Sequence, residues 1–235
     1  MIYVCSDIHG HYVKYLAMLK AIGLRSSDTL WVLGDVIDRG PEGCRVLLDM
    51  MGRPNVIPIL GNHEFTAAVC LPWLMEEVTD QSLDVLDRTQ LAALSEWVAN
   101  GGGATLRELK QLPQQTREQI LEYIRDMDLY AQVSAGGRDF ILVHAGLENF
   151  SPDKPLEEYE LQDFLFSRPK PDQVYFKDRY LVYGHTPARL LQKQLGEPPS
   201  DRILRRGKQI AVDCGCGCGG MLGCLCLDTL EEFYL

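Results

Sequence analysis

Five short blocks stand in one order along the chain: Asp7-Ile8-His9-Gly10, Gly34-Asp35-Val36-Ile37-Asp38-Arg39-Gly40, Gly61-Asn62-His63-Glu64, His144-Ala145-Gly146 and Gly184-His185-Thr186. They take up four of the five histidines. Carboxylate, carboxamide and imidazole beside glycine form a mixed oxygen and nitrogen donor set, which suits manganese, iron or zinc better than calcium or magnesium. Asp7 and His9 are separated by a single residue, so from an extended segment both project to one side and can reach one ion. Asp35, from a neighbouring strand end, would bridge that ion to a second, whose donor set Asn62, His144 and His185 would complete. Two ions about 3.5–4 Å apart lower the pKa of a water and clamp the oxygens of an in-line displacement at phosphorus. The blocks therefore point to a dinuclear hydrolase.

Phosphate esters of serine or threonine leave as poor alkoxides, so a general acid is worth on the order of 10²–10⁴-fold. His63 fits that role, with Asp38 orienting it and holding it protonated through a hydrogen bond. Arg39 and Arg168 would grip phosphate oxygens with their planar guanidinium forks, joined by Asn62, which also stands among the metal ligands. Taken singly, each block is weak. Asp-x-His is common, a lone His-Ala-Gly after a strand is more often packing than ligation, and Arg39 alone would read as a surface ion-pair partner. Glu64 reads as a support for the site rather than a ligand, and His11 as a packing or capping residue. The ordered set of five is what carries the argument.

Most of the blocks follow an apolar run. Ile2 to Cys5 reads as a strand feeding the first block, followed by a helix carrying Val13, Leu16, Leu19 and Lys20 and ending near Gly23. Thr29 to Leu33 reads as a second strand, with Pro41 at the first position of the helix that follows. Asn55 to Leu60 reads as a third. This βαβαβ alternation predicts parallel pairing and gathers the polar loops at the carboxyl ends of the strands. From about 65 to 130 the pattern is helical and acidic, with Glu76, Glu77, Asp80, Asp84 and Asp87 as solvated faces, and is read as an insertion in a single domain spanning 1–235. Leu129 to Ser134 and Asp139 to Val143 form an expected hairpin around Gly136-Gly137, the second strand delivering His144. A helical piece is expected around Leu161 to Phe166, and Tyr180 to Tyr183 delivers His185. Gln209 to Val212 and Met221 to Leu227 are expected to pair as a final antiparallel hairpin.

Composition narrows the partners. With 235 residues and a net charge of -10, the chain can bury a large core, and its exterior would repel nucleic acid and anionic membrane over most of its area. No apolar stretch approaches the roughly 20 residues needed to cross a bilayer. Ile2-Tyr3-Val4-Cys5 leads straight into the first block, with none of the features of a secretory signal, so the cytoplasm is the expected compartment. Eight cysteines in such a chain read as reduced thiols. Five crowd into Cys214, Cys216, Cys218, Cys224 and Cys226, a spacing without paired Cys-x-x-Cys knuckles, which favours a tight glycine-rich turn over a zinc site. A zinc or redox role is the alternative.

The five blocks, with the Asp-Arg-Gly ending of the second and the Glu after Asn62-His63, resemble the signature of the calcineurin-like metallophosphoesterases, and within them the phosphoprotein phosphatase branch. Asn100-Gly101-Gly102 followed by Thr105-Leu106 is similar to the bacterial and phage-type enzymes exemplified by bacteriophage lambda phosphatase. The likeness runs from Tyr3 to about Leu227. It implies a four-layer αββα sandwich with two mixed sheets, and a serine/threonine protein phosphatase acting on phosphoproteins or phosphopeptides, commonly supported by manganese. By motif, the first metal would take Asp7, His9 and Asp35, and the second Asp35, Asn62, His144 and His185. Leu165-Phe166-Ser167-Arg168 resembles the stretch that supplies a second phosphate-binding arginine, although Phe166 and Ser167 depart from the commoner wording. Likeness of the cysteine-glycine segment to a family segment near the metals would extend a redox role there to oxidative or metal-linked inhibition through Cys214, Cys216 and Cys218. Two other activities remain open on the same blocks: a symmetrical dinucleoside tetraphosphate hydrolase, and a noncatalytic scaffold in which the metal is structural.

Overall fold

Alternation along the strands sets the layering of the molecule. The computed structural model describes residues 1–74 and 87–235. Strand β1 (Ile2–Cys5) turns Tyr3 and Cys5 toward a helical layer and Val4 toward a second sheet. The neighbouring β2 (Thr29–Val32) does the same, with Leu30 and Val32 on the helical side and Trp31 on the other. Because side chains on a strand alternate with period two, one apolar run can serve two cores, and a run buried on both faces needs no polar partner.

The first sheet has the order β10-β9-β1-β2-β3, where β3 is Val56–Pro58, β9 Gly223–Cys226 and β10 Glu232–Tyr234. Strands β1, β2 and β3 are parallel, as the βαβαβ pattern predicts, and β9 and β10 add antiparallel edges. The second sheet has the order β4-β5-β6-β8-β7: Tyr130–Ala135, Arg138–Val143, Tyr180–Tyr183, Gln209–Ala211 and Leu204–Arg206. Between the sheets lies a core of Val4, Leu33, Ile59, Phe140, Leu142, Val182, Ile210 and Leu225. Helices α1 (Tyr12–Ala21), α2 (Gly43–Met51) and α3 (Asn62–Cys70) cover the outer face of the first sheet. The outer face of the second packs Ile141, Val143, Leu181 and Tyr183 against Phe164, Tyr175 and Leu191. This is the expected sandwich of two mixed sheets between helical layers.

After α3 the described helices are α4 (Arg88–Trp97), α5 (Gly103–Leu109) and α6 (Gln114–Arg125). Glu76, Glu77, Asp80 and Asp84, read as solvated helix faces, lie outside the described residues. Asp87 is exposed and also caps α4: its side chain accepts from the Gln90 amide at 2.8 Å while the Gln90 side chain accepts from the Asp87 amide at 2.9 Å. The remaining helices are α7 (Leu161–Leu165), close to the expected piece, and α8 (Ala188–Gln194).

Three local expectations change. Helix α2 begins at Gly43 rather than at Pro41, because the Glu42 amide is donated to the Gly10 carbonyl at 3.1 Å, tying the approach to the first loop. In α1 the buried positions are Tyr15, Met18 and Leu19, whereas Val13 and Leu16 face solvent. The third change matters most for function. The runs Gln209 to Val212 and Met221 to Leu227 do not form a hairpin: β8 pairs with β6 and β7 in one sheet, and β9 pairs with β1 and β10 in the other. The cysteine-glycine segment between them is a crossover from sheet to sheet. A pattern of two apolar runs around a glycine turn specifies local reversal, but which neighbour each run meets is decided by the space available in each core.

Candidate metal centre

The loops after β1 and β2 are stitched edge to edge by backbone hydrogen bonds, and the loop after β3 packs against the second of them. Asp7, His9 and Gly10 donate to the carbonyls of Gly34, Asp35 and Val36 at 3.1, 2.9 and 2.7 Å. Gly34 sits at φ +76 with its Cα face so close to Gly61 that a Cβ would lie 2.5 Å from the Gly61 Cα, so only glycine lets these loops touch. Eight described non-glycine residues have positive φ, and six of them are Asp7, His9, Asp35, Asp38, Arg39 and His185. Backbone strain of this kind persists where surrounding structure over-determines it, and clusters where side chains must be aimed.

Two donor groups result. His144 Nε2 lies 2.9 Å from Asn62 Oδ1, 3.2 Å from His185 Nδ1 and 3.4 Å from Asp35 Oδ1, and His185 Nδ1 lies 2.8 Å from Asn62 Oδ1. On the other side of Asp35, its Oδ2 lies 3.7 Å from His9 Nε2, and Asp7 Oδ1 is 4.0 Å from that same nitrogen. Asp35 thus presents one oxygen to each group, the arrangement that a bridging carboxylate would require. His63 also borders the first group, its Nε2 3.8 Å from Asp35 Oδ2.

The tautomers are set from behind. His9 Nδ1 donates to the Ile37 carbonyl at 2.9 Å and His144 Nδ1 to the Leu33 carbonyl at 2.7 Å, so each turns an unprotonated Nε2 inward. His9 Nε2 is buried and has no hydrogen-bond partner among the described residues. A buried nitrogen lone pair facing two carboxylates is costly unless a cation joins them, so the donor set fits divalent ions. Burial draws the His9 imidazole down to about 3. Burial, with repulsion from His144, draws His185 down to about 3. Both are held in the neutral form that metal ligation needs. Asp7 is pushed well up by burial and by the nearby Asp213 and Asp35 carboxylates, a push that divalent charge would reverse. Burial would also raise Asp35, but the imidazoles of His144, His63, His9 and His185 outweigh it and hold the carboxyl below its usual range.

His63 is differently placed. Its Nδ1 donates to Asp38 Oδ2 at 2.7 Å, and its Nε2 accepts from Arg39 Nη2 at 3.2 Å. Burial works to lower its pKa, but Asp35 and the Asp38 hydrogen bond more than offset this, and the net shift is upward. Asp38 is fully buried and held by Trp97 Nε1 at 2.8 Å and Thr105 Oγ1 at 2.5 Å. Arg168 Nη1 donates to Thr186 Oγ1 at 2.9 Å, beside His185. All ten residues anticipated from the sequence are therefore assembled around one centre, with Arg39 and Arg168 at its solvent side.

Most other contributors were not legible as such. Trp97 reads only as an apolar position in a helix, yet it and Thr105 fix Asp38 from the helical segment. Glu64, expected as support, takes the amides of Asp35, Val36 and Ile37 at 2.7, 2.8 and 3.1 Å, while burial raises its pKa to about 7. The crossover segment supplies the last. A Cβ on Gly217 would lie 2.2 Å from His9 Cδ2, so the cysteine-rich turn backs a metal-ligand ring. Cys214 and Cys216 are buried, Cys218 is exposed, and all three are free thiols. Gly217→Ala is expected to weaken divalent-ion binding by about 10- to 100-fold, the range found when groups that orient ligands are disturbed. Calorimetric titration with manganese checks this; unchanged affinity would mean that the turn yields without moving His9.

The family model for calcineurin-like phosphoesterases matches residues 1–208. The chain belongs to that family. Its members use divalent metal ions, in keeping with the two donor groups around Asp35. A symmetrical bis(5′-nucleosyl)-tetraphosphatase of Acidovorax ebreus (strain TPSY) is 31% identical over 148 residues, covering 62% of this chain and 44% of that relative. Another symmetrical enzyme, of Wigglesworthia glossinidia brevipalpis, is 31% identical over 99 residues, and the match covers 36% of its length. The chain thus spans less than half of these relatives. An asymmetrical bis(5′-nucleosyl)-tetraphosphatase of Geobacillus sp. (strain WCH70) is 24% identical over 247 aligned positions, covering 93% of this chain and 87% of the relative. Among solved structures, a candidate diadenosine tetraphosphatase superposes with a TM-score of 0.66 at 16% identity, covering 100% of this chain and 92% of that one. A serine/threonine phosphatase from Saccharomyces cerevisiae gives 0.60 at 15% identity, covering 100% and 78%. Both structures share the fold. Among the described residues no helix is long and apolar enough to cross a membrane.

Proposed function

We propose that the chain is a metal-dependent phosphohydrolase whose substrates are bis(5′-nucleosyl) polyphosphates. The observation that carries the hydrolytic part is the buried, unpartnered His9 Nε2 facing Asp7 and Asp35, with Asn62, His144 and His185 converging on the other oxygen of Asp35. Asp7, His9 and Asp35 would hold one ion, and Asp35, Asn62, His144 and His185 a second, with manganese, iron or zinc suited to the donors. Such ions supply Lewis acidity toward phosphoryl oxygens and acidify the attacking water.

The chain's own residues do the rest. Arg39 and Arg168 draw the phosphoryl group in and fix its orientation. Asp38, immobilised by Trp97 and Thr105, takes the Nδ1–H of His63 and favours the doubly protonated imidazolium, whose Nε2–H, turned from Arg39 to the substrate, would pass to the departing oxygen and leave the ring neutral. Glu64 keeps the Asp35 loop from relaxing.

The substrate class is supported by the relatives, symmetrical and asymmetrical alike, which are named as bis(5′-nucleosyl)-tetraphosphatases. The phosphoprotein phosphatase expected from the motifs becomes the second reading, favoured by the Asp38-Arg39-Gly40 and Asn62-His63-Glu64 wording. Turnover of diadenosine tetraphosphate and of a phosphoserine peptide by the manganese-loaded protein separates the two. Efficient cleavage of the peptide alone would reinstate the phosphatase, and hydrolysis of neither would leave the metal structural.

A further inference from the structure

Phe166 is 47% exposed, and among the described residues it is the only aromatic in the set of large exposed hydrophobic side chains. Its neighbours on both sides, Leu165 and Ser167, are buried, and Pro169 packs so closely on Gly146 that a Cβ there would lie 2.5 Å from the proline ring. The backbone carrying Phe166 is therefore clamped while its ring is presented outward. That ring meets Phe65 edge to face, with centroids 6.5 Å apart and planes at 80°. In a T-shaped pair one ring keeps a π-face free for an offset-stacked partner.

Both rings stand on segments that also carry the site. Phe65 follows Asn62 by three residues in α3, about 4.5 Å along the axis at 1.5 Å per residue. Phe166 precedes Arg168 by two residues, and that guanidinium reaches Thr186 next to His185. The aromatic pair is thus carried by the same two segments as Asn62 and Arg168, residues assigned to phosphate binding. A planar heteroaromatic joined through a sugar to a phosphate chain matches such a pairing of cationic fork and exposed π-face, because every base has a stackable face whatever its identity.

We propose that Phe166, braced by Phe65, is a nucleobase-stacking subsite beside the metal centre. It rests on the substrate class proposed above and adds the residue that would distinguish a nucleotide from a bare phosphate. The test uses the manganese-loaded full chain and calorimetric dissociation constants for two probes, the β,γ-imido analogue of ATP and inorganic tripolyphosphate, with free metal held constant. The wild type is expected to prefer the nucleotide. Phe166→Ala should shrink that preference by on the order of 5- to 100-fold, the range for loss of one base-aromatic stack, while Phe166→Trp retains it. Using the ratio of the two probes cancels any general weakening of the phosphate site. No preference in the wild type, or equal losses for both probes, overturns the subsite. So does a rise in KM for a phosphoserine peptide with the nucleotide preference intact, which would make the aromatic pair a peptide contact. Diadenosine tetraphosphate turnover by the wild type is read separately. Its absence beside an intact nucleotide preference would sink the proposed activity but not the subsite.

Discussion

Replacing His63 with asparagine is expected to slow hydrolysis in proportion to how badly the leaving group needs a proton. An alkyl ester such as phosphoserine should lose on the order of 10²–10⁴-fold in kcat, the usual worth of a positioned general acid. Substrates that expel a stabilised anion, p-nitrophenyl phosphate or a dinucleoside polyphosphate, should lose far less. The reason lies in the geometry: Nδ1 is committed to Asp38 at 2.7 Å, so Nε2 alone faces the site, and the surrounding carboxylates hold the proton against the pull of burial. Distance by itself does not separate an acid from a ligand here. His63 Nε2 is 3.8 Å from Asp35 Oδ2 and His9 Nε2 is 3.7 Å from the same oxygen. Metal content separates them. The variant is expected to bind as many ions as the wild type, read by elemental analysis after dialysis. Loss of an ion would make His63 a ligand, and equal rate losses on all substrates would remove it from proton transfer.

Asp35→Asn is expected to be the most damaging single change. Asp35 turns one oxygen to each donor group, so its single negative charge would be shared between two ions. A carboxamide keeps the shape but removes the charge and replaces one acceptor oxygen with a donor nitrogen. Binding of at least one ion should weaken by more than about 100-fold, beyond the range seen when only a supporting partner of a ligand is lost. Hydrolysis of every phosphate substrate should fall together, because substitution at this position does not discriminate between leaving groups. Two tightly held ions in the purified variant would contradict the bridging assignment.

The contrast between these variants follows the contrast between what could be seen along the chain and what could not. The residues proposed to approach the reacting atoms announce themselves, because imidazole, carboxylate and guanidinium beside glycine at strand ends have few structural uses. Glu64 apart, their supports are silent. Trp97 satisfies an apolar helix pattern whether or not its indole N–H reaches Asp38, and Gly217 sits in a segment whose visible feature is its cysteines. Phe166 looks like a departure from a motif until its exposure and its contact with Phe65 are known.

The same division holds for the fold. Parallel β1, β2 and β3, the β4–β5 hairpin and the assembly of the five blocks at one end of the sheets were legible from periodicity and turn residues, since these follow from local geometry and short connections. The partners of β8 and β9 were not. Each is buried on both faces, so the alternation that fixes register in a half-exposed strand is missing, and a local pattern cannot say which sheet a doubly buried strand will enter. By itself, then, the sequence determined the family and its metal-dependent phosphoester chemistry, because ligand types and their order survive in one dimension, while its wording favoured a phosphoprotein substrate where the relatives are named for dinucleoside tetraphosphates. Only the tertiary structure decided which indole, threonine and glycine hold those ligands still, because that depends on long-range packing between segments with no signal of their own.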